Sequence, residues 1–192
     1  VNEADKGFQY PTKPVGLVLS SDVVMSADWD IAETVIGLRR VFARLLPIRV
    51  LDLQVIQKLV ELKAVVICGG GGGIPVVKKE KHYVGVPAVV DKDRLSSLLA
   101  IELEADALII STAIDCVKTG SGSESEISHN HLTIDQCEQF LEQGESPPGS
   151  MGHKIGRLME ASLHNPKCKA ILCQPGDALK ALQSEAGNKI HQ

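Results

Sequence analysis

Five consecutive glycines, Gly69–Gly73, directly follow the apolar run Ala64–Cys68. Because glycine has no Cβ, successive backbone N–H groups can turn toward an anion and approach it closely. A flexible turn is the competing interpretation. The position after a predicted buried strand, with Pro75 stiffening the exit, favours an anion-binding loop. This loop is not a P-loop, because no Gly-Lys-Ser/Thr sequence follows it.

The triplet Asp91-Lys92-Asp93 is a second candidate, placed where the predicted strand 88–90 ends. A lysine between two carboxylates can meet a phosphoryl group, and phosphoryl transfer depends mainly on well-positioned positive charge. The same residues could instead form a surface charge cluster that caps the next helix, with Asp93 as the capping residue. Taken alone, the triplet leaves both interpretations open.

The third candidate is the sequence Gly-Ser-Met-Gly-His-Lys at residues 149–154. Its small residues let backbone amides gather at a helix start, where the helix dipole favours an anion, and Lys154 can reach the same group. The pattern is weak by itself. All three candidates lie at or beside strand ends, where open α/β sheets bind their ligands. We therefore predict that Gly69–Gly73, Asp93 and Lys154 converge on one edge of a sheet.

The elements that must position these residues alternate between apolar runs and amphipathic segments, which predicts an α/β protein. The predicted arrangement is a three-layer αβα architecture with a mainly parallel sheet. Residues 1–27 are predicted to be irregular and residues 118–131 to form a loop, and Thr133 to Gln136 have the pattern of a capping start. The predicted helices are residues 28–46, 51–62, 94–104, 133 to the break at Pro147, 154–163 and 177–184; the predicted strands are 64–68, 88–90, 107–111 and 169–173.

Composition excludes several classes of protein. The chain has 192 residues, 44% of them hydrophobic, which predicts one domain or one domain with part of another. A net charge of -4 and an aromatic content of 3% provide neither a basic field nor stacking platforms, so no nucleic-acid partner is expected. No apolar run reaches the length of a membrane span and no signal peptide is recognised, so we expect a cytoplasmic protein without a membrane partner.

The cysteines and histidines do not predict a metal site or a disulfide framework. The five cysteines contain no CxxC pair, and we interpret them as reduced thiols. His129 and His131 lie in a polar stretch without a third ligand nearby, so a solvated loop is favoured over a metal site.

Together these segments resemble the carbamate kinases of the amino-acid-kinase superfamily in order and spacing. The resemblance is carried by residues 70–76, 85–93 and 149–154, and Pro11–Gly16 is similar to the family's flap. It implies an amino-acid-kinase (carbamate-kinase-like) fold. Residues 1–80 would be the remainder of an N-terminal substrate domain including the flap, and residues 81–192 a C-terminal nucleotide-binding domain.

The resemblance also implies an activity: reversible phosphoryl transfer from ATP to carbamate with Mg²⁺, giving ADP and carbamoyl phosphate, in a protein that is a homodimer when complete. It assigns roles to individual residues. The implied catalytic residues are Lys13, Lys92, Asp93 and Lys154; the substrate and phosphate-binding residues are Gly70, Gly71, Gly72 and Gly73; the nucleotide-binding residues are Thr112, Asp115, Gly149, Ser150, Met151 and Gly152.

Departures from the family pattern lead to two further expectations. The family's glycine-rich opening strand end and its Gly-Asn pair, which hold the transferred phosphate, have no counterpart in this sequence. We therefore expect an N-terminally incomplete or divergent member, with low activity for this chain alone. Ala113 and Lys118 stand where the family has Asp and Tyr, which predicts weakened ATP binding. The alternative is a non-catalytic nucleotide- or anion-binding pseudoenzyme that acts through interactions.

Overall fold

The computed structural model describes residues 1–113, 117–119, 127–142 and 151–192. These residues divide into two compact units, Val1–Leu95 and Ser96–Gln192. The strands are β1 Lys13–Val15, β2 Ile31–Thr34, β3 Gly37–Leu45, β4 Val76–Lys79, β5 His82–Gly85, β6 Ala88–Val90, β7 Ala107–Ser111, β8 Val117–Thr119, β9 Ile127–His129, β10 His131–Thr133, β11 Lys169–Cys173 and β12 Asn188–His191; the helices are α1 Ser21–Ser26, α2 Leu53–Glu61, α3 Lys92–Glu102, α4 Ile134–Glu142, α5 Met151–His164 and α6 Ala178–Leu182.

The sheet of the first unit is built on β3. This strand pairs antiparallel with β1 and β2 and parallel with β6. The two-residue turn Val35-Ile36 joins β2 to β3, and Gly37 begins β3 with φ +126°, a conformation that L side chains rarely adopt. The Thr34 hydroxyl donates a hydrogen bond to the Gly37 carbonyl at 2.7 Å and closes the turn.

The two faces of β3 differ in chemistry because side chains alternate along a strand. Val41, Ala43 and Leu45 are buried and face the core. The residues that alternate with these core positions lie on the opposite face: Arg40, Phe42 and Arg44. One sheet therefore carries an apolar inner face and a basic, aromatic outer face.

The prediction of a helix over residues 28–46 is wrong, because these residues form the hairpin of β2 and β3. Apolar residues at Ile31, Val35, Leu38 and Phe42 gave a helical spacing. The structure instead uses the period-two alternation at Val41, Ala43 and Leu45, which buries those residues against the core.

The prediction of a buried strand over Ala64–Cys68 is also wrong. The segment is irregular, and the side chains of Val65 and Ile67 are each 96% exposed. An apolar run needs neighbouring strands on its hydrogen-bonding edges to become a buried strand, and no strand in the described ranges pairs with this segment. Helix α2, which precedes it, matches the predicted helix 51–62.

The second unit contains a four-stranded sheet in the order β10-β12-β11-β7. The pairs β10–β12 and β7–β11 are parallel, whereas β11–β12 is antiparallel. Leu172 faces a core with residues of α4 and α5, while Ile171 and Cys173 pack against Ala181 of α6 on the other face. This unit therefore has helices on both faces of its sheet, as an αβα arrangement requires. The α/β class is confirmed, although the described sheets are mixed where a mainly parallel sheet was predicted.

Local predictions in the second half have mixed outcomes. The predicted strands 88–90, 107–111 and 169–173 are confirmed. The capping start is also confirmed: the Gln136 N–H donates to the Thr133 hydroxyl at 3.2 Å, and the Thr133 N–H donates to the Gln136 side-chain carbonyl at 2.9 Å. The predicted loop 118–131 contains strand residues, His129 and His131 among them, and β12 was not predicted.

The described cysteines are reduced, and most of them are buried. Cys68 is exposed, whereas Cys137, Cys168 and Cys173 are buried, and all four are free thiols. Burial raises the pKa of Cys137 to about 12, so its thiol remains protonated and packs as an apolar group. Among the described helices, none has the length and apolar character needed to cross a membrane.

The exposed apolar segment gives a stability prediction based on two isoleucines of the first unit. Ile67→Ala is expected to change the free energy of unfolding by less than about 0.5 kcal/mol, because its side chain has little contact to lose. Ile56→Ala, at a side chain that is 7% exposed in α2, is expected to cost about 2 kcal/mol or more. Urea unfolding followed by circular dichroism measures both, and equal losses would contradict the exposed placement of residues 64–68.

Candidate phosphate-binding site

The loop Gly69–Gly73 adopts backbone conformations that require glycine. Four of its residues have positive φ angles: Gly69 at 71°, Gly70 at 48°, Gly72 at 143° and Gly73 at 84°. The Gly72 N–H donates to the Gly69 carbonyl at 2.8 Å and closes a tight turn. The sequence therefore needs glycine here for backbone geometry, and not only for flexibility.

This loop lies against the junction of β6 and α3. A Cβ placed on Gly72 would be 1.8 Å from the Val90 carbonyl oxygen and 3.5 Å from the Lys92 backbone nitrogen. At Gly70 and Gly71 a Cβ would meet nothing within 4 Å. The loop therefore rests on the end of β6 through Gly72 and leaves Gly70 and Gly71 open, as an anion-binding loop must.

Asp91 joins the sheet to the helix at this junction. Arg44 donates to one carboxylate oxygen of Asp91 at 2.5 Å, and the Asp93 N–H donates to the other at 3.0 Å. The Asp91 carbonyl accepts from the Leu95 N–H at 3.0 Å, which makes Asp91 the N-cap of α3. The interpretation of Asp93 as the capping residue is wrong, because α3 begins at Lys92 rather than at Arg94.

The ionisation of Asp91 follows from these contacts. Burial alone would raise the pKa of Asp91, but the hydrogen bond and charge of Arg44, with the backbone N–H groups of Asp93 and Arg94, hold that pKa below its ordinary value. Asp91 is therefore ionised at neutral pH, and each of its carboxylate oxygens accepts a hydrogen bond. The sequence did not distinguish Asp91 from the other residues of its triplet, because its pairing with Arg44 depends on the register of β3 and β6.

Lys92 and Asp93 have contrasting environments at the start of α3. The Lys92 side chain is exposed, whereas Asp93 is 7% exposed. The first unit thus brings the glycine loop, Lys92 and Asp93 to one strand end. Of the predicted convergence of Gly69–Gly73, Asp93 and Lys154, only the loop and Asp93 belong to this unit, and the convergence as a whole stays a prediction.

The flap segment also belongs to the first unit. Lys13 begins β1, is exposed, and lies opposite Phe42 of β3. Cross-strand partners share one face of a sheet, so Lys13 projects from the same face as Arg40 and Phe42.

The second unit carries the remaining candidates. Lys154 lies in the first turn of α5 and is 6% exposed, and Met151, which begins that helix, is also buried. The Thr112 N–H donates to the Cys173 carbonyl at 2.9 Å, which places Thr112 directly after β7. Gly152 follows Met151 in α5. Asp115, Gly149 and Ser150 lie outside the described residues, and the convergence of Lys154 with the glycine loop stays a prediction.

Within the described ranges 1–113, 117–119, 127–142 and 151–192, no group of three or more His, Cys, Asp or Glu residues could hold a metal ion. His131 instead contacts the ring of His191 edge-on, with ring centroids 6.2 Å apart.

Known proteins match this chain closely. A sequence profile of the amino acid kinase family matches residues 18–172. The carbamate kinase of Staphylococcus haemolyticus is 35% identical over 191 residues, which are 97% of this chain and 62% of that protein. The carbamate kinase of Clostridium perfringens is 34% identical over 195 residues, 99% of this chain and 62% of that protein.

Solved structures match equally well. The carbamate kinase of Giardia lamblia bound to AMP-PNP superposes with a TM-score of 0.89 at 28% identity, covering 100% of this chain and 62% of that chain. A protein from Aeropyrum pernix K1 superposes with a TM-score of 0.92 at 30% identity, covering 100% of this chain and 63% of that chain.

The fold, the glycine loop and the family match together define the class: the chain belongs to the amino acid kinase family. Within that family it is similar to carbamate kinases, in sequence and in fold. The chain spans about 62% of the length of the relatives it matches. The amino-acid-kinase fold predicted from the sequence is thereby confirmed.

The glycine loop gives a stability prediction in which the adjacent glycine serves as a matched control. Gly72→Ala is expected to lower the free energy of unfolding by more than about 1 kcal/mol, because its Cβ would overlap the Val90 carbonyl at a positive φ. Gly71→Ala meets open space and is expected to change it by less than about 0.5 kcal/mol. Denaturant unfolding of both variants provides the measurement, and equal stabilities would show that the loop does not rest on β6.

Asp91 gives a prediction about pH. The pKa of Asp91 is lower in the folded chain than in the unfolded chain, so its ionised carboxylate stabilises the fold at pH values above the unfolded pKa. This stabilisation is lost as the pH falls through the folded pKa. Asp91→Asn can still cap α3 but cannot form the ion pair, so it is expected to be less stable at pH 7 by about 1 kcal/mol. The difference from the unmodified chain should shrink below about pH 4. Unfolding measured from pH 7 to pH 3 tests this, and a constant difference would contradict it.

Proposed function

We propose that this chain carries the phosphoryl-transfer site of a carbamate-kinase-like enzyme. In the proposed reaction the bond between ADP and the terminal phosphoryl group of ATP breaks, and a bond from that phosphorus to a carbamate oxygen forms, giving carbamoyl phosphate. The reverse reaction regenerates ATP. This activity is proposed for the whole protein, because the relatives that carry the name carbamate kinase are longer than this chain.

One observation carries the proposal: a loop of positive-φ glycines is fixed to the strand end from which Lys92 and Asp93 project. Gly72 anchors the loop on Val90, and Gly70 and Gly71 stay open. Backbone amides in such a turn favour an anion, and a lysine beside them adds the positive charge that a phosphoryl group requires.

The proposed residue roles follow from charge and position. Lys92 would neutralise charge on the transferring group, and Asp93 would orient the lysine side chains. Lys13 on the flap and Lys154 on α5 would add positive charge to the same phosphoryl group. The substrate and phosphate contacts of the loop would come from Gly70 to Gly73, which fits the supporting geometry of that loop.

The nucleotide would bind to the C-terminal part, which we propose as residues 81–192, with residues 1–80 holding the other substrate and the flap. Thr112, Met151 and Gly152 are the described candidates for nucleotide contacts, with Asp115, Gly149 and Ser150 in addition. The Giardia lamblia neighbour is bound to AMP-PNP, an analogue of ATP, which supports ATP or ADP as the ligand. Ala113 leaves out the carboxylate of the family pattern, which supports weakened affinity.

Magnesium would accompany the nucleotide phosphates, which commonly supply several of its ligands. Asp91 does not fit as its ligand, because its carboxylate is paired with Arg44 and caps α3. No step is therefore routed through the metal. A homodimer and a cytoplasmic location belong to this proposal for the complete protein.

The proposal is tested by transfer from carbamoyl phosphate to ADP, followed by a sensitive assay for ATP formation. Turnover by this chain alone is expected to be low, since misplacement of reacting groups by about 1 Å costs around a hundredfold. Lys92→Ala and Lys154→Ala are each expected to reduce the remaining rate by about a hundredfold, because each removes charge needed in the transition state. Lys81→Ala, at an exposed position in the turn between β4 and β5, is the charge-matched control.

Calorimetric titration with ADP and with carbamoyl phosphate accompanies the assay. Binding of both ligands without detectable turnover in this chain, and in a chain extended by the opening segment of a relative, would favour the pseudoenzyme. Turnover that neither lysine substitution changes would refute the assigned roles.

A further inference from the structure

The outer face of β3 contains an arginine, Arg40, that is held by aromatic rings and not by an ion pair within the described residues. Arg40 lies between two aromatic rings: its guanidinium carbon is 4.7 Å from the centroid of Trp29 and 4.5 Å from that of Phe42. Stacking of this kind fixes a planar guanidinium in one orientation. Arg40 is therefore held rigidly on a face that otherwise points away from the core.

The hydrogen-bonding capacity of Arg40 is largely unused. Its Nε is buried without a hydrogen-bond partner, while its two Nη groups are not among the buried unpartnered atoms. In the described part of the chain, no carboxylate lies within ion-pairing distance of Arg40. The other two arginines of β3 are engaged, Arg39 with the Gly16 carbonyl at 2.6 Å and Arg44 with Asp91. Arg40 is thus the arginine of this strand for which the described part of the chain shows neither a hydrogen bond nor an ion pair.

A second cation lies beside Arg40 on the same face. Val15 of β1 is directly opposite Arg40, and Lys13 is opposite Phe42, the residue two positions further along β3. Diagonal neighbours of this kind in an antiparallel pair are about 7–8 Å apart at the backbone, within reach of long side chains. Lys13 is exposed and, among the described residues, has no ion-pair partner.

Glu33 of β2 lies on the same face, diagonal to Arg40, but not within ion-pairing distance of it. Arg40 and Lys13, on the other side, repel each other, and an anion placed between them removes that repulsion. A guanidinium presents paired N–H donors that match two oxygens of a phosphate or carboxylate, while an ammonium adds a point charge. We propose that Arg40, clamped by Trp29 and Phe42, forms with Lys13 a phosphate-binding face on the β1–β3 sheet. Its ligand class is a phosphate monoester or acyl phosphate.

This inference rests on the proposed function and deepens it, because it adds a second residue to the lysine already placed on the flap. Arg40 would contact the phosphoryl group that the flap covers, and Trp29 would be a positioning residue acting through Arg40. Trp29 is also the one tryptophan of the 192-residue sequence, so its fluorescence reports on this face alone.

The test titrates the full chain with inorganic phosphate and with carbamoyl phosphate at constant ionic strength, using chloride as the reference anion. Trp29 fluorescence and calorimetry are recorded together. Saturable binding of both phosphates, with a fluorescence change that chloride does not produce, is expected. Arg40→Gln should weaken calorimetric binding about tenfold or more, and Lys13→Gln should also weaken it. Arg49→Gln, at an exposed position outside the sheet, is the charge-matched control and should bind normally.

Arg40→Lys separates charge from geometry. It keeps the positive charge but loses the paired donors, so it should bind more weakly than the unmodified chain while melting at a similar temperature. Binding that is unchanged in Arg40→Gln and in Lys13→Gln would overturn this inference. If Lys92→Ala still weakens binding in that case, the proposed function stands and only the role of the flap face is lost. If no substitution has an effect, both proposals fail.

Discussion

The ion pair between Arg44 and Asp91 connects the three parts of the first unit that matter for its chemistry. Arg44 lies near the end of β3, and Asp91 lies between β6 and α3, so one contact at 2.5 Å fixes the sheet to the helix. The same carboxylate caps α3, which sets where Lys92 and Asp93 begin that helix. The glycine loop rests on the adjacent strand end through Gly72. If the carboxylate were removed, the start of α3 would lose its cap and β3 would lose its ion pair to the strand end on which the loop rests.

This arrangement separates support from function. Asp91 and Gly72 make internal contacts, Asp91 with Arg44 and the start of α3, and Gly72 with Val90. Gly70, Gly71 and Lys92 are exposed on that support. In the proposed function, a ligand would bind without breaking the contacts that hold these residues, and little reorganisation would be needed as charge develops on a phosphoryl group.

The sequence predicted the second unit better than the first, and particular residues explain why. Thr133 and Gln136 form the predicted cap because capping depends on only four consecutive residues. Strand 169–173 was predicted from its short apolar run, and the prediction is confirmed because helices cover both faces of that strand. Ala64–Cys68 has equally strong apolar character, yet whether it becomes a strand depends on partners elsewhere in the fold, which local composition does not encode. The glycine loop was predicted from its residues, whereas the pairing of Arg44 with Asp91 needed the three-dimensional register of β3 and β6.

The parallel pairing of β3 with β6 also determines the order in which the first unit assembles. The β2–β3 hairpin closes through a two-residue turn and involves only local contacts. Arg44 and Asp91, in contrast, are 47 residues apart along the chain, so their contact closes a long loop and forms late. At a synthesis rate of roughly 5–20 residues per second, the ribosome adds Asp91 some seconds after Arg44. The hairpin can therefore form before the strand and the helix that anchor the glycine loop have joined it.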